Sequence, residues 1–462
     1  MLIVVKRALR EVESMKREMS KTRENWWSAA GVVALALALP IFLRGVNYLQ
    51  RLLVGAETRL AAIGVDTQGI LGPMPAPWRA VAQGGEEIKT FLDGNAPRVF
   101  LWRPEQIRID HIYDQFGVVN REVGELKFDW RELDLLVDKI ASTGAKPFFS
   151  LSYMPAVISS GDEVAPPKSW DEWALVVQRT IEHYSGEKGF DGLYYEVWNE
   201  PDLFGKWTTR GERNYLKLYE YAARGAQNAR GVRPFKLGGP ATTGLYKEWI
   251  DKLLSNVAQK NLKFDFYSWH RYDADLQKYN EDVVNIDRWL DAYPTFARVE
   301  KIVSETGFSS ERITENDTRV AGAHLIAVAR ELMFKAKYGF NFSVTGGWGM
   351  LNKPRGEALK MLSGLGSARL SVTGEGSFVK AIAAKSEDSV QVLVVNYDPR
   401  QNHYEVVPVT FLNINPGAYV LKETFWDGKI TRREVATDAA MWQKELPMTP
   451  NSVALLELSP KL

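Results

Sequence analysis

From about residue 60 onward, short apolar strand-like runs alternate with longer amphipathic stretches. Eight runs read as strands, ending near Asp66 (AAIGVD), Trp102 (PRVFLW), Ser152 (KPFFSLS), Trp198 (LYYEVW), Pro240 (FKLGGP), Trp269 (FDFYSW), Glu305 (KIVSE) and Trp348 (FSVTGGW). Between them, DWRELDLLVDKIAST, SWDEWALVVQRTIEHYS, ERNYLKLYEYAARGAQNAR, YKEWIDKLLSNVAQK and TRVAGAHLIAVARELMFKAK carry helical periodicity. Asp129 and Ser169 stand at N-cap positions, and Gly144 and Gly186 at stops. Alternating strand and helix implies a parallel sheet, and eight such units predict a closed (β/α)8 TIM barrel over residues 60–365. An open doubly wound sheet is the alternative, but no GxGxxG or P-loop string follows the first strand. After Gly366 the runs become β-rich, with turn signals such as Asp427-Gly428, and predict an antiparallel β-sandwich over residues 366–462.

The amino-terminal pattern is different. Residues 26–43 read WWSAAGVVALALALPIFL, uncharged and about 27 Å long as a helix, close to the hydrocarbon thickness of a bilayer. Trp26 and Trp27 mark one edge and Arg44 the other, while Lys6, Arg7, Arg10, Lys16, Arg17, Lys21 and Arg23 precede the run. This pattern predicts a cytoplasmic basic segment at 1–25, a single-pass anchor at 26–43 and a helical connector at 44–59. The catalytic mass would then lie outside the cytoplasmic membrane. A cleaved signal peptide is the competing reading, with Ala36-Leu37-Ala38 as a small-residue site, although that triplet sits inside the apolar run.

Composition narrows the chemistry. The 462 residues contain no cysteine, which excludes a disulfide scaffold, a thiolate metal site and a cysteine nucleophile. Five histidines without an HExxH-type pair give no sign of a histidine-rich metal centre. A formal charge of +1 gives no global electrostatic reason to expect nucleic acid. The 15 Trp and 18 Tyr supply flat faces suited to sugar rings as well as to a core.

In a barrel of this kind, reactive groups sit at the carboxyl ends of strands. The fourth strand run ends in Glu196-Val197-Trp198-Asn199-Glu200-Pro201, the sixth in Ser268-Trp269-His270-Arg271-Tyr272 and the seventh in Val303-Ser304-Glu305-Thr306-Gly307. Two glutamates thus end two strands and face one mouth. Glycoside hydrolysis needs such a pair, one carboxylic acid for the leaving oxygen and one carboxylate for the anomeric carbon. Glu196, two residues before Trp198, falls deeper by strand period, where a buried ion pair is its natural role.

The string EVWNEP, with a glutamate ending the seventh strand, resembles the clan A glycoside hydrolases. The succession KPFFSLSYMP, YYEVWNEPDLFGKW and DFYSWHRY resembles family 39, which includes β-xylosidases, α-L-iduronidases and membrane-linked exopolysaccharide glycosidases. The resemblance covers roughly residues 60–350 and implies a retaining hydrolase with Glu200 as acid/base and Glu305 as nucleophile, their carboxyl groups about 5–5.5 Å apart. It further implies that Asn199 meets the sugar 2-hydroxyl, that Tyr272 holds the nucleophile, that His270 lines the first sugar site, and that Trp348 forms a platform under the sugar. Tyr153, Phe204, Trp207 and Phe308 are further aromatics expected near the mouth, with Tyr153 and Trp207 as substrate-binding residues. The chain departs from the family pattern in RVFLWRPEQI, which keeps Arg98 but has Trp102 where a polar sugar contact is expected, and in SETGF at the seventh strand.

The expectation is an enzyme that needs neither cofactor nor metal and acts on a polysaccharide or oligosaccharide. Its favoured action is internal cleavage of a bacterial exopolysaccharide at the membrane. The alternatives are an exo-acting xylosidase- or iduronidase-like enzyme, a transglycosylase, and a sugar-binding scaffold protein without turnover. The sequence identifies no protein partner.

Overall fold

Eight parallel strands close on themselves in chain order. They run Ala80–Gln83, Gln106–Ile109, Lys146–Leu151, Leu193–Val197, Phe235–Thr242, Phe266–Tyr272, Glu300–Gly307 and Tyr338–Phe342. The structure is a computed structural model that describes residues 58–461 apart from 388 and 427. The predicted anchor at 26–43, nearly all of the connector and Asp427 of the turn signal lie outside the described residues. Among the described residues no helix is long and apolar enough to cross a membrane.

The barrel strands are apolar because both of their faces are covered, by the interior on one side and by helices on the other. The third to seventh follow the expected order, whereas the eighth, Tyr338–Phe342, precedes the predicted run FSVTGGW and shares only Phe342 with it, so Trp348 lies in the loop beyond the strand. The first two differ from the sequence reading. The run ending at Asp66 is a long strand, Ile63–Pro73, that pairs with Ala368–Thr373 and Glu405–Leu412 in a separate nine-stranded sheet. Its buried Ile63 and Val65 alternate with half-buried Gly64 and Asp66, the signature of a strand covered on one face only. The run PRVFLW is not a strand either. Ala96–Phe100 is a short helix with proline in its first turn, and Phe100 and Leu101 face solvent. The true first strand, AVAQ, is short, and the true second, QIRI, carries two polar side chains, so neither has a strong apolar signal.

The outer helices follow the five predicted periodic stretches, running over Arg131–Ser142, Trp170–Ile181, Tyr215–Asn228, Lys247–Lys260 and Arg319–Leu332. Ser169 caps its helix by accepting from the Glu172 N–H, and Asp129 accepts from the Arg131 N–H one residue outside the formal cap. Gly144, with φ +83, ends the first helix, whereas Gly186 lies within a π-turn that extends the second. Two further helices, Leu276–Leu290 and Pro354–Ser363, complete the ring.

The carboxy-terminal strands form a sheet that is antiparallel except between Ile63–Pro73 and Glu405–Leu412. It folds over a core of its own, since Phe411 and Leu446 near one edge share a cluster with Leu421 near the other. Strand period divides its faces: Ala381 and Ala383 enter this core, whereas Ile382 and Ala384 join the barrel cluster. Barrel and sheet form one compact unit from residue 60.

One contact tests the helix ring. A Cβ on Gly225 would lie 2.2 Å from the Ala174 carbonyl oxygen of the neighbouring helix. Gly225→Ala is expected to cost about 1–3 kcal/mol in urea unfolding, and a neutral result would mean that the two helices do not pack this closely.

Candidate active site

The barrel interior has an apolar floor of Ala80, Ala82, Phe148, Tyr194, Phe266, Ile302 and Phe340. Two residues further along several of the same strands the inward positions turn polar, with Ser150, Glu196, Ser268 and Ser304, all buried. Arg108, also wholly buried, enters this layer from the second strand.

Arg108 links the layer. Its Nε donates to Glu196 Oε2 at 2.7 Å, Nη1 to Glu305 Oε1 at 2.9 Å and Nη2 to Asn199 Oδ1 at 2.7 Å. Burial opposes its charge, but Glu196 and Glu305 outweigh it and push the guanidinium pKa further up, so it stays charged. The sequence reading looked for a polar contact at Trp102, but Trp102 is core and Arg98 is exposed on the short helix. The polar residue lies on the real second strand. Its signal was the alternation Arg108-Ile109-Asp110, unusual within a barrel strand.

Backbone irregularities aim the two glutamates. In the seventh strand Ile302 faces inward and Val303 outward, so strict alternation would turn Glu305 away from the interior. The pairing with the sixth strand shifts register between Val303 and Glu305, and this bulge returns Glu305 to the barrel beside His270. After the fourth strand, Trp198 and Glu200 take φ +77 and +42, a left-handed backbone that costs about 1–3 kcal/mol per residue. The surroundings hold it: the Glu200 N–H donates to the Ala241 carbonyl, Phe204 N–H donates to the Glu200 carbonyl, and Ser150 donates to the Trp198 carbonyl.

Around this frame the structure brings together Glu200, Glu305, Asn199, His270 and Tyr272. Carboxylate oxygens of Glu200 and Glu305 approach within 4.8 Å. The Tyr272 hydroxyl donates to Glu305 Oε2 at 2.6 Å, and its own pKa is raised by burial and by the Glu305 charge. The ring of His270, expected to line the first sugar site, is wholly buried. Its Nδ1 lies 2.8 Å from Glu200 Oε1 and 3.4 Å from Glu305 Oε2. Burial lowers its pKa, but the Glu305 charge and the hydrogen bond to Glu200 together raise it above the ordinary imidazole value. Glu200, His270 and Glu305 are close enough to share a cation, yet Arg108 already supplies positive charge at Glu305.

The remaining aromatics divide. Tyr153 is buried and accepts from Asn199 Nδ2 at 3.0 Å, so it supports Asn199 rather than forming an open platform. Trp207, expected to bind substrate, is buried edge-on against Trp198, with ring centroids 5.3 Å apart. Phe204 is exposed, and Phe308 lines a cavity beside Tyr272. Trp348 is half-buried in its loop, where Arg355 donates to its carbonyl and to those of Phe342 and Asn316.

Three comparisons with known proteins bear on this geometry. The family model described as "Glycosyl hydrolases family 39" matches residues 102–338. A β-xylosidase of Geobacillus stearothermophilus is 32% identical over 178 residues, 35% of this chain and 34% of the relative, so the chain spans about a third of that protein's length. Among solved structures, a β-xylosidase from Caulobacter crescentus CB15 aligns with a TM-score of 0.75 at 19% identity, covering 87% of this chain and 100% of that one. The GH39 enzyme from Xanthomonas axonopodis pv. citri aligns with 0.76 at 20% identity over 87% of this chain and 98% of that one. At such identities the structural matches speak for the fold alone.

Asp110 gives this site a pH signature. It is buried, its Oδ1 has no hydrogen-bond partner among the described residues, and burial raises its pKa to about 6 against the opposing charges of His111 and Arg108. The folded state therefore holds this proton more tightly than the unfolded chain, and stability falls as pH rises from about 4 to about 6. Asp110→Asn is expected to gain nothing below about pH 4 and about 1–3 kcal/mol above about pH 6. Denaturant unfolding at pH 4 and pH 8 checks this; a pH-independent difference would mean that Asp110 titrates normally.

Proposed function

The chain belongs to glycosyl hydrolase family 39, and from that membership we propose a retaining mechanism in which Glu305 attacks the anomeric carbon and Glu200 serves as acid and then base. The carrying observation is the short carboxylate spacing, within 4.8 Å between oxygens. Retaining enzymes hold the pair about 5–5.5 Å apart, whereas inverting enzymes leave room for a water between them.

The supporting contacts divide the roles. Glu305 accepts from Arg108 on one oxygen and from Tyr272 on the other, two donors that fix its orientation. Glu200 sits nearer the solvent, and His270 is its side-chain partner. In the first step a Glu305 oxygen bonds to the anomeric carbon as the bond to the leaving oxygen breaks, and the Glu200 proton passes to that oxygen. In the second, Glu200 takes a proton from water, whose oxygen displaces Glu305 and frees the sugar. Asn199, tied through Oδ1 to Arg108 and through one Nδ2 hydrogen to Tyr153, keeps its other Nδ2 hydrogen for the sugar 2-hydroxyl.

The β-xylosidase relatives favour a β-xyloside as substrate. A second reading keeps the chemistry and changes the setting: internal cleavage of an exported polysaccharide, with the barrel outside a membrane. The apolar run 26–43 supports it. Full-length chain found only in the cytosolic fraction would reject that setting, and products consisting solely of monosaccharide would reject internal cleavage.

Substitution separates the two glutamates. Glu305→Gln is expected to abolish turnover of p-nitrophenyl β-D-xyloside. Glu200→Gln is expected to slow hydrolysis by about 10²–10⁴ with a poor leaving group, and by much less with 2,4-dinitrophenyl, which departs without a proton. Near-native activity in Glu305→Gln would rule the mechanism out.

A further inference from the structure

A cavity of about 580 Å³ opens beside Tyr272, between the loops after the sixth and seventh barrel strands and a loop of the accessory sheet. Its inner wall is Tyr272, whose hydroxyl bonds Glu305, and its outer wall includes Pro399 and Gln401. We propose that this cavity is a second sugar subsite, shared by barrel and accessory sheet, that takes the neutral sugar unit adjoining the one at Glu305. The proposal rests on the reading that Glu200 and Glu305 act on a glycoside, and it identifies the substrate as a chain rather than a single sugar on a small leaving group.

The volume lies in the range of small-ligand sites. The lining suits hydroxyl groups: Ser309, Ser310 and Thr318 offer hydroxyls, Gln401 an amide, and Phe308 an apolar face. Its charge selects the class of sugar. Asp273, Glu311 and Glu315 outnumber Arg312, and Arg312 already donates to Glu315 at 2.7 Å. A uronate would meet net negative charge without a free cation, whereas an uncharged pentose or hexose would not.

The walls are also preformed. His324 is buried and its pKa is pulled down to about 3, so it is neutral, and its Nε2 lies 2.8 Å from the Asp273 carbonyl, placed to donate. Tyr397 of the accessory sheet donates to the next carbonyl, Ala274. Asn316 Nδ2 donates to the Ser309 carbonyl at 2.9 Å. On the far side Asp398 accepts from the N–H groups of Arg400, Asn402 and His403, holding the turn on which Gln401 stands at φ +59. A cavity braced from behind on both sides needs little ordering when a ligand enters.

Comparing methyl β-D-xyloside, whose leaving group is too small to fill the cavity, with β-1,4-xylobiose, whose second unit fills it, tests the proposal. For the native chain kcat/KM is expected to be about threefold to tenfold higher for xylobiose than for the methyl xyloside, the effect of one or two added hydrogen bonds. Gln401→Ala is expected to lower this ratio by a similar factor. Ser310→Trp, which fills the cavity, should bring the two substrates level. Turnover of the methyl xyloside with no advantage for xylobiose, or equal losses on both substrates in both variants, would overturn the subsite while leaving the glutamate pair standing. Absence of turnover on every xyloside would reject the xyloside reading and the subsite with it.

Discussion

The buried guanidinium of Arg108 is the interaction on which the rest of the site depends. Burying a charge is unfavourable unless partners replace its water, and Arg108 has three, Glu196, Glu305 and Asn199. Each partner needs Arg108 in return. Glu196 has no exposed surface, and its second oxygen has no partner among the described residues, so the guanidinium is what keeps this carboxylate tolerable inside the barrel. The planar fork also sets geometry, holding Glu305 and Asn199 from one rigid group. The position of the Glu305 carboxylate is thereby tied to a side chain three strands away rather than to its own flexible stem.

That arrangement sets the electrostatics of the whole mouth. Glu196, Glu200, Glu305 and Asp110 gather around Arg108 and His270, so carboxyl groups outnumber the cations beside them. This excess explains why a wholly buried imidazole has its pKa raised, against the direction of burial. It also suits the chemistry, since an oxocarbenium-like transition state carries positive charge at the centre of the group.

How far the sequence disclosed this depends on where signal and function coincide. The third to seventh barrel strands were legible because burial on both faces makes them apolar runs, and EVWNEP placed Glu200 just past the end of the fourth. The first two strands were not, because Ala80–Gln83 is short and small and Gln106–Ile109 is polar where it serves the site. Arg108 was missed for the reason that makes it important: an inward arginine breaks the pattern by which strands are recognised. The burial of His270 and Trp207 was not legible, since sequence spacing does not report the depth of a ring. The bulge before Glu305 left no local signature, and only the cross-strand register reveals it.

The strand that was assigned to the barrel has the largest consequence for architecture. Ile63–Pro73 pairs antiparallel with Ala368–Thr373, in a register running from Gly64 opposite Thr373 to Pro73 opposite Ala368. The whole barrel is thus inserted between two neighbouring strands of the accessory sheet, and its two ends are clamped at one place. Such a pairing is non-local and forms only once the intervening barrel has brought the strands together. The sheet is in turn held to the barrel by Ile382, Ala384 and Leu393 in the shared core and by the ion pair of Arg330 with Glu375. With both the clamp and this interface in place, the sheet has little freedom to rotate on the barrel. The loop bearing Asp398 and Gln401 is therefore set relative to Tyr272 by backbone pairing and core packing, not by a flexible linker, and the accessory sheet becomes part of the structure that shapes the catalytic mouth.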